Sequence, residues 1–392
     1  MRIVHIFSAL YQGGAENQLE LLISQSLRAT PDIEHIVISL KNEQTQLWQR
    51  LEQKKIKIYS CNLNSPFNLI SIFALRKLLK ALHSDSTVFQ SWMYHANFFT
   101  TLAAARLPVK LVWALRRTQI PQGVTGLISK ASAWLSGWVK PQVISNSEAG
   151  LASHGQAGYY LAKSTVIANG FVTESFDPPV PAISCSQAEL AKSDLIVATP
   201  SVASAAIEST LFGTIGRYSP VKGHKYLFEA ILLLQQQLPA AEFEQVKFIF
   251  AGRDITTSSA LKPYIDNFII RQQCQFIGEV ADVSVVLKDI DCLILPSLSE
   301  GFPNVLVEAM LANKYCIATN VGDVNRILAD IVPSIKPGCA EQLCRAMVDF
   351  LKREKQQNIA TGHELGVLAR SHYSIASSWQ QYLSLYSLLL GK

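Results

Sequence analysis

Short apolar runs separated by amphipathic stretches recur along almost the whole chain, and this alternation restricts the fold more than any other feature. Strand-like runs fall at 2–7, 35–39, 56–60, 87–91, 110–114, 142–145 and 165–168. Helix-like runs lie between them, among them Glu16 to Leu27, Leu69 to Leu82 and Ala96 to Ala105. Such alternation specifies βαβ units and a mostly parallel sheet. The pattern stops between Pro178 and Ser209, where 17 of 32 residues are Ala, Ser or Pro. That stretch reads as a linker with an irregular insertion, in which Leu195 to Val197 offers a short strand. The alternation then restarts, with strands at 210–215, 246–251, 274–277, 291–295 and 315–319. Helices are expected at 223–237, 281–288, 304–312, 322–329 and 340–352, and a final one at 375–390. The economical solution is an α/β chain of two Rossmann-like, doubly wound domains facing each other across a cleft. Its boundaries are 1–177 for the first domain, 178–209 for the linker, 210–370 for the second domain and 371–392 for a closing helical segment. In such sheets ligands bind at the carboxyl ends of strands, on the loops that enter the helices.

Composition narrows the function classes. Hydrophobic residues are 49% and charged residues 17%, which excludes disorder as the main state. No apolar run approaches the roughly 18 residues of a spanning helix. Met1 to Phe7 enters a strand without a charged-then-apolar leader, so a cytoplasmic location is expected. The seven cysteines are scattered and never spaced C-x-x-C, which favours neither a metal site nor a disulfide framework and fits a reducing compartment. Residues 1–170 hold 17 Lys and Arg against 8 Asp and Glu, and residues 171–392 hold 18 against 22. A basic first half suggests an anionic partner, either an anionic lipid surface or a phosphate-bearing acceptor; uneven scatter is the plainer alternative. The sequence lacks an arginine-rich arm, zinc-finger spacing and an RNP-like aromatic strand, so nucleic acid is not expected as a partner.

Three loops carry candidate chemistry. Gly13 and Gly14 lie between the first strand and a helix, where bare backbone N–H groups can approach an anion. A purely structural turn accounts for them equally well. The second loop, Gly216 to His224, carries Arg217 and Lys222, two cations placed to reach one diphosphate or else an ordinary solvated pair. The third runs from Pro296 to Met310 and holds two glutamates, Glu300 in the loop and Glu308 in the following helix. Loop and helix can present both carboxylates to one cleft, where they would hold sugar or ribose hydroxyls. The N–H groups near Asn304 and Val305 would meet phosphate. A capping acid and a solvated loop charge are the alternatives.

On these residues the chain resembles the retaining, family-4 type glycosyltransferases (glycosyl transferases group 1) of the GT-B fold, over nearly its whole length. The resemblance implies that Gly13-Gly14-Ala15-Glu16 is the amino-terminal glycine loop near donor phosphate and acceptor. It implies that Asn169-Gly170 closes the first domain, that Arg217 and Lys222 hold the nucleotide diphosphate, and that Glu308 holds the ribose. Glu300, with Gly301, Phe302, Pro303, Asn304 and Val305, would face the donor sugar, and Val321-Gly322-Asp323 is similar to the turn after the next strand. Ser374 to Leu390 is similar to the helix that crosses back to the first domain. His95 stands where several members carry a first-domain histidine near the reacting sugar, although packing beside Trp92 and Tyr94 explains it too. Arg116 and Arg117 follow a strand and are candidates for a phosphate on donor or acceptor. The implied co-substrate is a UDP- or GDP-linked sugar, without metal or other cofactor. The implied acceptor is a glycan or a lipid-diphosphate-linked glycan at an anionic inner membrane surface, as in cell-surface polysaccharide assembly. A GT-B epimerase and a catalytically silent sugar-nucleotide binder are the alternatives.

The sequence departs from the family pattern at Asp323-Val324-Asn325-Arg326 and at Gly252-Arg253-Asp254, which bears on donor preference. Asp289-Ile290-Asp291 spells D-x-D but leads directly into a buried strand, so it is not read as a metal motif. Gly123 to Pro141, with Trp134, Leu135, Trp138, Lys130 and Lys140, reads equally as a membrane-facing helix or a core helix; Leu69 to Leu82 offers the same choice.

Overall fold

A computed structural model describes residues 1–11, 13–63, 69–176 and 209–391. The first sheet comprises β1 (Arg2–Phe7), β2 (Glu34–Ser39), β3 (Lys57–Ser60), β4 (Thr87–Trp92), β5 (Lys110–Leu115), β6 (Gln142–Ser145) and β7 (Ser164–Val166). The second comprises β8 (Thr210–Ile215), β9 (Val246–Ala251), β10 (Cys274–Gly278), β11 (Cys292–Leu295) and β12 (Tyr315–Ala318). Every pairing is parallel. Strands such as β1, β4 and β11 are buried on both sides because helices cover both faces of each sheet.

The strand orders locate the crevices. The first sheet runs β3-β2-β1-β4-β5-β6-β7 and the second β10-β9-β8-β11-β12. In each, the winding reverses once, between β1 and β4 and between β8 and β11. Loops leaving those strands diverge to opposite faces and open a crevice at the carboxyl edge. The loops after β1 and β4 carry Gly13-Gly14 and His95; those after β8 and β11 carry Arg217, Lys222 and Glu300. All four candidate segments therefore sit at a point of reversal.

Helix Lys355–Tyr373 belongs to the second core through Leu365 and Ala369, whereas Ile375–Leu390 buries Ile375, Trp379, Tyr382, Leu385 and Tyr386 in the first. The break falls at Ser374, whose extended backbone caps the last helix. There Phe171 N–H donates to Tyr373 O at 2.9 Å and Phe171 O accepts from Ile375 N–H at 2.8 Å, tying the end of the first domain to the crossing point. All twelve strands appear within a residue or two of their expected positions. Six α-helices among the described residues were not anticipated: Gln46–Gln53, Glu148–Gln156, the short Ala240–Glu244, Lys262–Ile265 and Phe268–Gln273, and Lys355–Tyr373. The first is signalled by only three buried apolar residues, and the second buries a glycine and a histidine rather than an apolar stripe. The helix expected at 322–329 is confined to Val324–Leu328 because Gly322 turns with φ of +57°. The short strand suggested at Leu195 to Val197 lies outside the described residues. Among these, no helix is long and apolar enough to cross a membrane.

Candidate functional site

The loop after β11 is held in shape by its own neighbours. Lys222 Nζ lies 2.6 Å from Glu300 Oε1, and Ser297 Oγ donates to the same oxygen at 2.7 Å. Both side chains are largely shielded, Glu300 being 11% exposed and Lys222 28%. The Lys222 loop is stitched to the Glu300 loop by Leu298 N–H to Val221 O at 2.7 Å. Gly223 makes this possible: its φ is +69°, and a Cβ there would stand 1.9 Å from Pro296 O. The structure thus brings together Lys222 and Glu300, two residues 78 positions apart, by packing two loops at one strand reversal. Arg217 remains exposed beside them, its loop fixed by Tyr218 N–H to Arg253 O at 2.8 Å.

Helix Asn304–Leu311 follows, with Pro303 at its N-cap and Gly301 and Phe302 in the approach. Val305 lies in its first turn. Glu308 is half-buried in the same helix. Loss of hydration raises its pKa to about 7, with a smaller push from the charge of Asp282. The two glutamates are therefore unlike in chemistry: Glu300 is paired with a cation, and Glu308 stands in dry surroundings.

The first-domain wall is built from the β1 and β4 loops. Gly13 caps helix Gly14–Ala29 with extended backbone, and a Cβ there would lie 2.6 Å from Glu16 Oε2. Burial raises the pKa of that carboxyl, while its backbone N–H and the charge of Arg117 act against the shift. After β4, Met93 turns with φ of +70°, a left-handed geometry that costs about 1 kcal/mol in a non-glycine residue. This turn places half-buried His95 in the first turn of helix Met93–Ala104. Burial and the charge of Lys41 both lower the His95 pKa, so its imidazole is neutral at pH 7.

Of the arginine pair, Arg117 is exposed, whereas Arg116 is committed to the scaffold. Its guanidinium donates to Asn169 Oδ1 and Tyr382 OH and lies 4.8 Å over the Trp92 ring. Asn169 Nδ2 in turn donates to Asn304 Oδ1 at 2.7 Å. A polar relay therefore runs from the crossing helix through Arg116 and Asn169 to the helix that carries Glu308.

Two further contacts span the cleft. A Cβ on Gly301 would stand 2.4 Å from Thr118 Oγ1 and 3.5 Å from Ser147 Oγ, so a side chain there would press on the Thr118 hydroxyl. The Asp323 carboxylate accepts N–H bonds from Glu148 and Ala149, both at 3.0 Å. Asp323 N–H also donates to Gly301 O at 3.1 Å, which joins the latch to the glutamate loop. Thr118, Ser147 and Lys41 carry no motif of their own; Ser147 was recognisable only as a cap after β6, where it accepts from Gly150 N–H at 3.0 Å. No group of three or more His, Cys, Asp or Glu able to hold a metal ion occurs among the described residues.

Residues 203–361 match the family model described as glycosyl transferases group 1. No curated protein matches the chain significantly. Across the whole chain it is similar to HepE of Anabaena in complex with UDP, with a TM-score of 0.76 at 19% identity over 99% of this chain and 100% of that one. A glycosyltransferase from Rickettsia africae gives 0.73 at 18% identity over 99% and 98%. The lipopolysaccharide outer core galactosyltransferase WaaB, in its apo form, gives 0.68 at 14% identity over 99% and 100%. The fold is GT-B, and residues 203–361 match the glycosyl transferases group 1 model, in line with the family that the residue pattern resembles.

Proposed function

We propose that this chain moves a sugar from a nucleotide-diphosphate donor to a glycan or lipid-diphosphate-linked glycan, retaining the configuration at the transferred carbon and using no metal. The reading includes a UDP- or GDP-linked donor, a role in assembling a cell-surface polysaccharide (capsule, exopolysaccharide or lipopolysaccharide), and work in the cytoplasm at the inner membrane face. The observation that carries it is the Lys222–Glu300 pair at the reversal between β8 and β11, with Glu308 in the helix that follows. HepE, similar in fold, was solved with UDP, which supports a uridine donor. The second domain takes the nucleotide, and the basic first domain takes the acceptor.

In this reading Glu308 accepts the ribose hydroxyls and Arg217 reaches the diphosphate. As the bond from sugar carbon to phosphate oxygen breaks, the electron pair leaves with the diphosphate. Lys222 and the N–H groups near Asn304 and Val305 offset the growing charge, an effect of several kcal/mol in a dry site. Glu300 orients the donor sugar, and neutral His95 offers a hydrogen bond from the opposite wall. The acceptor hydroxyl attacks from the leaving-group face and gives its proton to the departing phosphate oxygen. Cleft closure excludes water during this step.

A thermal-shift panel of UDP-, GDP-, ADP- and dTDP-sugars, with and without Mg²⁺, tests the donor half. A donor at about 100 times its Kd stabilises the protein by about 2.7 kcal/mol. One base class should raise the Tm without metal, and Arg217→Ala or Glu308→Ala should remove the effect. Absence of any shift, with acceptor also supplied, would sink the reading. Interconversion of the donor sugar without transfer would assign the epimerase instead.

A further inference from the structure

Helix Gly123–Val139 buries mostly small residues and exposes large apolar ones. Its buried face is Gly126, Ser129, Ser132, Ala133 and Ser136. Its outer face carries Val124, Leu127, Trp134 and Trp138, each between 65% and 75% exposed. At 3.6 residues per turn these four positions fall on one stripe. The inner hydroxyls are satisfied by protein. Ser129 shares a hydrogen bond with Tyr159 OH at 2.9 Å, Ser132 donates to Ile128 O at 2.8 Å, and Ser136 Oγ accepts from Tyr160 N–H at 2.7 Å. A surface helix in water ordinarily turns its large apolar side chains inward; this one packs Ile128 and Leu135 against the core and turns four others out.

A second helix continues the surface. In Leu69–Leu82, Ile70 is 80% and Phe73 68% exposed, and exposed Lys77 and Lys80 lie on the same arc. Both helices pack against Met93–Ala104, and all three cover one face of the first sheet. Their outward arcs therefore share one side of the domain.

The charge on these two helices is one-signed. Residues 69–82 and 123–140 hold Arg76, Lys77, Lys80, Lys130 and Lys140 and no acidic residue. Exposed Lys130 flanks the tryptophan stripe, and exposed Lys140 ends it. Indole rings and lysine stems buried at the head-group level, with ammonium groups reaching the phosphates, is the arrangement that suits a lipid leaflet. We propose that this face seats the protein on an anionic bilayer, the stripe of helix Gly123–Val139 lying in the boundary between head groups and acyl chains. The inference deepens the proposed reading by giving the route to a lipid-linked acceptor. Donor binding is independent of it, so the two fail separately.

Flotation of the full chain with vesicles tests it, comparing phosphatidylcholine alone with a mixture of about a third phosphatidylglycerol. The wild type should float with the anionic vesicles only, with a blue shift in tryptophan emission. Trp134→Ser with Trp138→Ser should weaken binding by about tenfold or more. Lys77→Glu, Lys80→Glu and Lys130→Glu together should abolish the preference for anionic lipid. Arg76 is left in place because it donates to Ala103 O and Ala105 O at 2.8 Å each, capping a buried helix. An unchanged donor-induced Tm shift would verify folding of each variant. Failure of the wild type to bind, or undiminished binding by the tryptophan variant, overturns the proposal. Self-association lost in the tryptophan variant, without lipid binding, would assign the face to a second copy and also overturn it.

Discussion

The carboxylate of Asp323, in the second domain, accepts a hydrogen bond at 3.0 Å from the backbone N–H of Glu148, the first residue of a first-domain helix. Its other oxygen takes Ala149 N–H at the same distance, and Ser147 takes Gly150 N–H. The first turn of that helix is thus capped jointly by both domains. The carboxylate is nearly fully buried, and an anion there is favoured by the helix dipole.

Asp323→Ala should loosen this junction. Removing two charge-assisted bonds at a buried cap costs about 2 kcal/mol. The loss should appear as a lower Tm and, in small-angle scattering, as a larger radius of gyration. Asp323→Asn keeps one acceptor and should fall between. A radius unchanged in both variants would mean that the contact does not hold the domains together.

How this was hidden from the sequence is instructive. The βα alternation located every strand, because strands buried on both faces leave continuous apolar runs. Glu300, Lys222 and the glycine loops could be placed at strand ends by the same rule. Asp323 was visible only as part of a family-like turn with an unusual continuation, since its partners are backbone N–H groups that any residue supplies. Arg116 illustrates the converse. Its position after β5 suggested a phosphate ligand, whereas its partners Asn169 and Tyr382 lie 53 and 266 residues away and become neighbours only through the crossing helix. Lys355–Tyr373 was missed because its buried positions include Asn358, Gly362 and Gly366, which leave no apolar stripe.

The Lys222–Glu300 contact predicts separable losses. Lys222→Ala removes the cation proposed to meet the diphosphate and leaves Glu300 Oε1 with the Ser297 hydrogen bond. Binding of the free nucleoside diphosphate should weaken about tenfold or more. Glu300→Gln retains the nucleotide contacts and should bind the diphosphate nearly as the wild type does. Its turnover should fall about 100-fold, because sugar orientation and not anchoring is lost. Isothermal titration with nucleotide and with intact donor distinguishes the two. Equal weakening of both ligands in both variants would contradict this division of roles.

Gly301 lies where the two walls approach closely. Gly301→Ala places a methyl group where Thr118 Oγ1 stands 2.4 Å away, so the Thr118 side chain or the facing wall must shift to admit it. Turnover should drop by about 100-fold, with nucleotide binding kept to within a few-fold. Thr118→Gly in the same chain should restore part of the activity by returning the space. No rescue would show that the glycine serves the donor loop rather than the interface.

Glu308 supplies a pH dependence whose sign can be worked out. Its carboxyl, ordinarily near 4.5, is raised to about 7 by burial. Between those values the folded chain holds a proton that the unfolded chain has released. Stability is therefore fully retained below the lower value and declines as pH rises through about 7. Glu308→Gln removes the buried charge, so the variant should melt higher than the wild type above pH 7 and match it more closely in acid. Donor binding should respond oppositely. A carboxylate that accepts ribose hydroxyls must shed its proton first, so wild-type affinity should rise with pH by up to about tenfold per unit below 7. The glutamine variant should bind more weakly and without that slope. A wild-type affinity flat from about pH 6 to 8, measured by titration calorimetry in buffers of different ionisation heat, would remove Glu308 from the ribose.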